Sequence, residues 1–256
     1  MKHKLNWKRD PHLARFPKSE FLLESLPASV DLRPVMPPVV DQLDIGSCTG
    51  NAWAYLLGCL AIKGLQMKIV DVEQFNGQFV PLSRLFIYYN ERMLQGTVNE
   101  DSGATLTNGM QAVSMWGICP ESVWTYSDAN EYVRPVASAY VQAMHHRVPH
   151  GTTIDNSNIN NLKACLAAGY PVVGGIAVYQ SFMNTGSDGM VPMPDVDNEQ
   201  LEGGHALCFC GYDDEKQVFT LINSWNTSWG DNGFGYIPYS YLSNTDLASD
   251  FWTLRI

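Results

Sequence analysis

Apolar positions in the first half of the chain recur every three or four residues, which is the spacing of a helix with one buried face. This pattern predicts helices over 48–64, 83–94 and 105–116. The first of them ends at Gly64, since glycine commonly terminates a helix. The first half of the chain is therefore predicted to be mainly helical.

From about residue 140 the pattern changes to short runs of β-branched or aromatic residues, at 172–178, 205–212 and 217–225, separated by turn residues. One more helix is predicted after Asn156, which would cap it, with its end at Gly169. Helices followed by hairpin-like strands indicate an α+β fold with an antiparallel sheet, and a site formed between the two halves would lie in the crevice that separates them.

A change of character near Ser25 predicts a boundary. Residues 1–25 are basic and polar without periodicity, whereas 26–33 begin an extended stretch followed by three prolines. We expect a short amino-terminal segment over 1–25 and one folded domain over 26–256. Its helical part would cover about 45–135 and its strand part about 136–256.

Composition and charge exclude several classes of protein. The 256 residues are 45% apolar and 16% charged, which is typical of a globular chain. A net charge of -10 disfavours nucleic acid and anionic lipid as partners. No apolar run is long enough to cross a membrane, and the first 25 residues lack the apolar core of a secretion signal.

The chain contains six cysteines, too few for a disulfide scaffold of this size. If one cysteine is a catalytic nucleophile, the remaining five cannot all form disulfides, so at least one more stays a free thiol. One or two disulfides among the others remain an open alternative. This favours the cytosol slightly, while a secreted protein whose signal had been removed stays open. His205, Cys208 and Cys210 could suggest zinc, but alternate residues on an apolar strand are explained by packing, so no metal or cofactor is predicted.

Four polar side chains form a candidate catalytic set. Cys48 begins a predicted helix, where unpaired N–H groups favour a thiolate. His205 follows two glycines, which permit close approach of another chain, and offers a base. Asn223 lies one strand later and could orient the imidazole, with Trp225 able to cover that bond from water. Gln42 offers an amide donor just ahead of the helix, as an oxyanion requires.

These segments resemble the papain-like cysteine peptidases over roughly residues 26–256. The resemblance rests on four motifs in the family's order: the amino-terminal stretch 26–33; Asp41-Gln42 followed by Gly46-Ser47-Cys48 and Trp53-Ala54; Gly204-His205-Ala206; and Asn223-Ser224-Trp225 with Trp229-Gly230 and Gly233. It implies a two-lobed fold, helical on one side and an antiparallel sheet or barrel on the other, with the active-site cleft between.

The resemblance also implies a role for each matching residue. Cys48 would be the nucleophile, His205 the general acid and base, and Asn223 the orienting group. Gln42 and the Cys48 backbone N–H would bind the oxyanion. Gly103, Gly204 and Trp225 would contact an extended substrate peptide.

Two positions depart from the family's pattern. Ile45 stands where the family usually has a cysteine that forms a disulfide, and Asn226 stands where a glycine is common. Such departures resemble divergent microbial or viral branches of the family.

The function implied is a cysteine endopeptidase that hydrolyses protein or peptide substrates through a thioester. An exopeptidase, a peptide ligase or amidase with the same chemistry, and a catalytically silent peptide-binding module remain open alternatives. Residues 1–25 are basic against an acidic body, so we expect them to fold back near the cleft and reduce activity, as a short pro-segment would.

Overall fold

A computed structural model describes residues 3–19, 25–64, 79–148 and 151–254. The stretch 20–24 of the predicted amino-terminal segment lies outside the described residues. The α-helices are α1 (Cys48–Ile62), α2 (Arg84–Gln95), α3 (Leu106–Met115), α4 (Ala137–Ala143), α5 (Ile159–Ala167), α6 (Gln180–Met183) and α7 (Tyr239–Ser243). The strands are β1 (Ser29–Asp31), β2 (Thr152–Ile154), β3 (Val172–Tyr179), β4 (Leu201–Asp213), β5 (Val218–Ile222), β6 (Phe234–Pro238) and β7 (Ala248–Thr253).

The strands form one antiparallel sheet in the order β2-β7-β3-β4-β5-β6, with β1 paired to the far end of β4. The sheet is not closed into a barrel, because β2 and β6 lie at opposite ends of this order. The predicted α+β fold, with helices first and an antiparallel sheet second, is confirmed. The domain boundary at residue 26 and the division near residue 135 stay predictions.

Local sequence explains where the helices begin. The Ser83 hydroxyl accepts from the Phe86 N–H at the start of α2, and Thr105 forms a reciprocal capping box with Asn108 at the start of α3. The cap predicted for α5 was wrong by two residues: Asn158 caps the helix. Asn156 instead donates its side-chain amide to the carbonyl groups of α7 and β7, a partnership that sequence spacing cannot reveal.

Helix α1 is the central element, because the helical side and the sheet both pack on it. Its residues from Cys48 to Leu60 are all buried, unlike those of a surface helix with one polar face. One side meets α2 and α3, and the other lies against β4. The first turn of α1 is thereby held beside the middle of β4, where His205 lies.

The described residues include all six cysteines, and each is a buried free thiol. Ile45, which stands where the family usually has a disulfide-forming cysteine, is buried in the helical core at 1% exposure. Within the described ranges, no helix is both long and apolar enough to cross a bilayer.

Candidate active site

Cys48 is the first residue of α1, so its sulfur lies where helix N–H groups lack internal partners. Three backbone N–H groups point at this sulfur, from Thr49 in the helix, from Ala206 on β4 and from Asn6. Because Ala206 directly follows His205, the contact joins the start of α1 to the strand that carries the candidate base. The structure therefore brings Cys48 and His205 into one site.

His205 is completely buried and hydrogen-bonded through one ring nitrogen. Its Nε2 lies 2.9 Å from Asn223 Oδ1, and its Nδ1 has no hydrogen-bond partner among the described residues. Trp225 stacks on the imidazole at a centroid distance of 4.7 Å. The ring is thus held on one edge by Asn223 and on one face by Trp225, and Nδ1 is left for another group.

The backbone of Asn223 is held from the opposite lobe. The Tyr55 hydroxyl, on α1, donates to the Asn223 carbonyl over 3.1 Å and accepts from the Val40 N–H over 2.8 Å. Through Tyr55, helix α1 therefore positions both Val40, in the segment that leads to Cys48, and the loop that carries Asn223.

Gln42 is buried and its side chain has a defined orientation. Its Oε1 accepts from the Ser224 hydroxyl at 2.7 Å, which directs Nε2 towards the carbonyl groups of Ile45, at 3.0 Å, and Lys4, at 3.2 Å. The Gln42 amide therefore donates to the carbonyl of another segment, that of Lys4, as well as to its own loop. Ser224 is the residue that fixes this direction.

A segment over residues 3–10, which we call the cleft segment, passes through the site. Trp7 N–H donates to the Gly204 carbonyl and Lys8 N–H to the Ala104 carbonyl, both at 2.9 Å. A side chain at Gly204 would overlap the Trp7 backbone, and one at Gly103 would overlap the carbonyl of Asn6. Gly103 and Gly204, which were predicted to contact a substrate peptide, therefore lie against the cleft segment.

Side chains anchor the cleft segment at both ends. At one end His3 lies 2.8 Å from Asp41 and stacks on Trp225. At the other end the Asp10 N–H donates to the buried Asp250 carboxylate at 2.8 Å.

Trp7 provides an apolar plug between these anchors. Its side chain is only 8% exposed and contacts Gly175 on β3, where any Cβ would overlap the indole ring. The absence of a side chain at Gly175 is what leaves room for the indole.

Burial under the cleft segment sets the charges in the site. Cys48 and His205 are both 0% exposed. Burial raises the pKa of the Cys48 thiol to about 12, although the three N–H groups oppose the shift. Burial also lowers the pKa of His205 to about 4, although the hydrogen bond that its Nε2 donates to Asn223 Oδ1 opposes the shift. At neutral pH burial therefore favours a thiol and a neutral imidazole in the covered site, instead of the thiolate predicted for Cys48.

Several contacts of the site were not predicted from the sequence. Ser224 was named only as the middle residue of the motif Asn223-Ser224-Trp225, and Tyr55, Gly175 and Asp101 were not singled out. Asn226 has a positive φ of 70°, a conformation that asparagine tolerates better than most residues, which explains how it replaces glycine there.

Comparison with known proteins identifies relatives of most of the chain. A profile described as papain family cysteine protease matches residues 26–251. A peptidase C1-like protein of Acanthamoeba polyphaga mimivirus is 38% identical over 226 residues, covering 84% of this chain and 69% of that protein. Cysteine proteinase 2 of Entamoeba histolytica is 26% identical over 227 residues, covering 84% of this chain and 64% of that protein. The matched region is thus about two thirds of each relative.

Solved structures of cysteine proteases share the fold of this chain. The crystal structure of xylellain, a cysteine protease from Xylella fastidiosa, is 35% identical, with a TM-score of 0.89 over 98% of this chain and 95% of that chain. Digestive procathepsin L 3 of Tenebrio molitor is 17% identical, with a TM-score of 0.68 over 95% of this chain and 77% of that chain. The second likeness concerns the fold alone.

The Ser224 contact gives a testable consequence. Ser224→Ala leaves Gln42 Oε1 without its donor, so the amide loses its orientation, and we expect kcat/KM for peptide hydrolysis to fall about ten- to a hundredfold. The rate of Cys48 alkylation should stay within about twofold, because alkylation forms no oxyanion. Thr227→Ala removes an exposed hydroxyl nearby and is the matched control. Equal kcat/KM values for the two variants would contradict the role of Ser224.

Proposed function

The chain belongs to the papain family of cysteine proteases, and from this premise we propose that it is an endopeptidase acting on internal bonds of protein or peptide chains. The observation that carries the proposal is the path of the cleft segment. It passes the Cys48 sulfur at Asn6 and continues to His3 in one direction and to Asp10 in the other. A cleft that holds extended chain on both sides of the thiol suits cleavage within a chain, whereas exopeptidases need a barrier at one side.

The site residues supply the chemistry of acyl transfer. The Cys48 thiolate attacks the carbonyl carbon of a substrate, and Gln42 Nε2 and the Cys48 N–H bind the oxygen as it becomes negative. His205, oriented by Asn223, gives its proton to the leaving amine as the C–N bond breaks. Water, deprotonated by His205, then attacks the thioester; the C–S bond breaks, a carboxylic acid is released, and the Cys48 thiolate is restored beside the protonated His205.

We further propose that the cleft segment inhibits this reaction. Three observations support inhibition: the Lys4 carbonyl occupies the Gln42 donor, Trp7 fills the space beside Gly175, and both Cys48 and His205 are excluded from water. The bridges from Asn6 to Gly204 and from Trp7 to Ala104 are parallel. Inhibitory segments of the family run opposite to substrate, so we expect a substrate to pair with the same residues in the antiparallel direction. Departure of the segment would rehydrate the site, lower the thiol pKa and raise the imidazole pKa, so that the ion pair can form.

Cys48→Ala tests the nucleophile and the type of reaction together. We expect the intact chain to convert long peptides into internal fragments, and Cys48→Ala to lower that rate by about a thousandfold or more. Mass spectrometry of the products is the measurement, and Cys59→Ala, which removes another buried thiol of α1, is the control.

The product masses also separate the alternatives. Loss of terminal residues alone would indicate an exopeptidase, and joined peptides a ligase. Unchanged hydrolysis by Cys48→Ala would exclude the mechanism. No product of any kind, with Cys48 no more reactive than the other thiols even in the Trp7→Ala chain, would indicate a binding module.

Trp7→Ala tests inhibition by the cleft segment. Removal of the indole empties the space beside Gly175, so the segment should detach more often and Cys48 should be alkylated by iodoacetamide at least about tenfold faster at mildly acid pH. Lys8→Ala changes an exposed side chain of the same segment and should leave the rate unchanged. Equal labelling of the wild type and Trp7→Ala, read by intact-mass spectrometry, would refute inhibition by this segment.

A further inference from the structure

The Asp101 carboxylate lies at the edge of the cleft, where neighbouring donors hold it in place. It lies in the loop between α2 and α3, and its side chain is only 7% exposed. The Tyr88 hydroxyl donates to Oδ1 at 2.5 Å, and the Gly46 N–H lies 3.0 Å from both carboxylate oxygens. These donors hold the carboxylate in one orientation, two residues before Cys48 along the chain at Gly46.

The cleft segment places a lysine on this carboxylate. Lys4 Nζ lies 2.8 Å from Asp101 Oδ2, and this bond, first among several causes, raises the pKa of the Lys4 ammonium. Asp44 and Glu131 add to the negative field around Lys4. The Lys4 side chain stays 41% exposed, so the approach to Asp101 is open to solvent and can admit another side chain.

Lys4 also places its own carbonyl at the oxyanion donor. The same residue whose ammonium reaches Asp101 accepts from Gln42 Nε2 at 3.2 Å through its backbone oxygen. The distance from the donor to the carboxylate is thus spanned by the length of one lysine residue. A lysine or arginine side chain is long and flexible enough to make this span with either direction of the peptide.

Physical chemistry makes such a carboxylate selective. A substrate ammonium or guanidinium group would replace Lys4 as the partner of a nearly buried charge, whereas a neutral side chain would cover the carboxylate without pairing it. Sites built around a buried polar group reject ligands that leave it unpaired more strongly than apolar pockets reject a misfit. Arginine can additionally form two parallel hydrogen bonds with a carboxylate.

We propose, on the basis of the endopeptidase function above, that Asp101 selects lysine or arginine at the substrate residue whose carbonyl is attacked, and that Lys4 mimics that residue in the covered cleft. Substrates are then cleaved after basic residues. Asp101 contacts the substrate side chain and determines specificity, without taking part in bond breaking.

The test compares peptides that differ only in the residue before the scissile bond: lysine, arginine, glutamine or norleucine, which has the length of lysine without its charge. The full chain is assayed, and the readout is the ratio of kcat/KM values between peptides. That ratio does not depend on how much of the enzyme has an open cleft. We expect the wild type to prefer lysine and arginine over norleucine by about tenfold or more.

Asp101→Asn should reduce this preference to within about twofold of unity. The asparagine side chain keeps an acceptor for the Gly46 N–H. The melting temperature of the Asp101→Asn variant, compared with that of the wild type, checks that the fold is kept. Glu100→Gln removes the exposed carboxylate of the residue next to Asp101 in the chain and is the matched control, which should keep the preference. An unchanged preference in Asp101→Asn, or a wild-type preference for neutral residues, would overturn the proposal.

A second readout separates this proposal from the proposed function. Peptidyl chloromethyl ketones ending in lysine or norleucine alkylate Cys48 without turnover, and intact mass gives both rates. If no peptide is hydrolysed but the lysine reagent reacts faster and only Asp101→Asn removes the difference, the endopeptidase proposal fails and the Asp101 site stands. Equal labelling by the two reagents, or labelling by neither, overturns the Asp101 site.

Discussion

The exclusion of water from the Cys48 sulfur is the constraint on which the site depends. A thiolate stripped of water is stable only if a positive group or several N–H donors replace the lost solvation. Here three N–H groups are present, but the neighbouring imidazole is equally buried and resists its proton. Burial therefore favours the neutral pair while the cleft segment covers it. Under the inhibition that we propose, the return of water would let the same residues form the ion pair without a change in geometry.

That geometry comes from two elements that meet at one point. The start of α1 supplies the thiol, and β4 supplies the base and a neighbouring backbone N–H. The loop after β5 supplies Asn223 and Ser224, which orient the imidazole and the Gln42 amide. Since α1 is buried from Cys48 to Leu60, its position is determined by the packing of both halves, and the Cys48 thiol begins a closely packed element.

Much of this arrangement could be predicted from the sequence, for a physical reason. Helix periodicity, the capping residues and the order of the motifs are local signals, and they indicated the α+β fold, the family and the candidate catalytic set. Contacts between distant segments have no such signal. The partners of Asn156, the support that Tyr55 gives to Asn223, and the room that Gly175 leaves for Trp7 each join residues far apart in the chain. The neutral state of the site was unexpected for the same reason, because burial is a property of the folded chain.

The decisive measurement is the ionisation of Cys48. The ultraviolet absorbance of thiolate can be followed against pH in the full chain, and the same titration of Cys48→Ala subtracts the other five thiols. We expect no Cys48 thiolate at neutral pH in the full chain, in keeping with a pKa of about 12, and a clear signal at neutral pH once Trp7→Ala has loosened the cleft segment. A Cys48 thiolate already present at neutral pH, with the cleft segment docked, would contradict it.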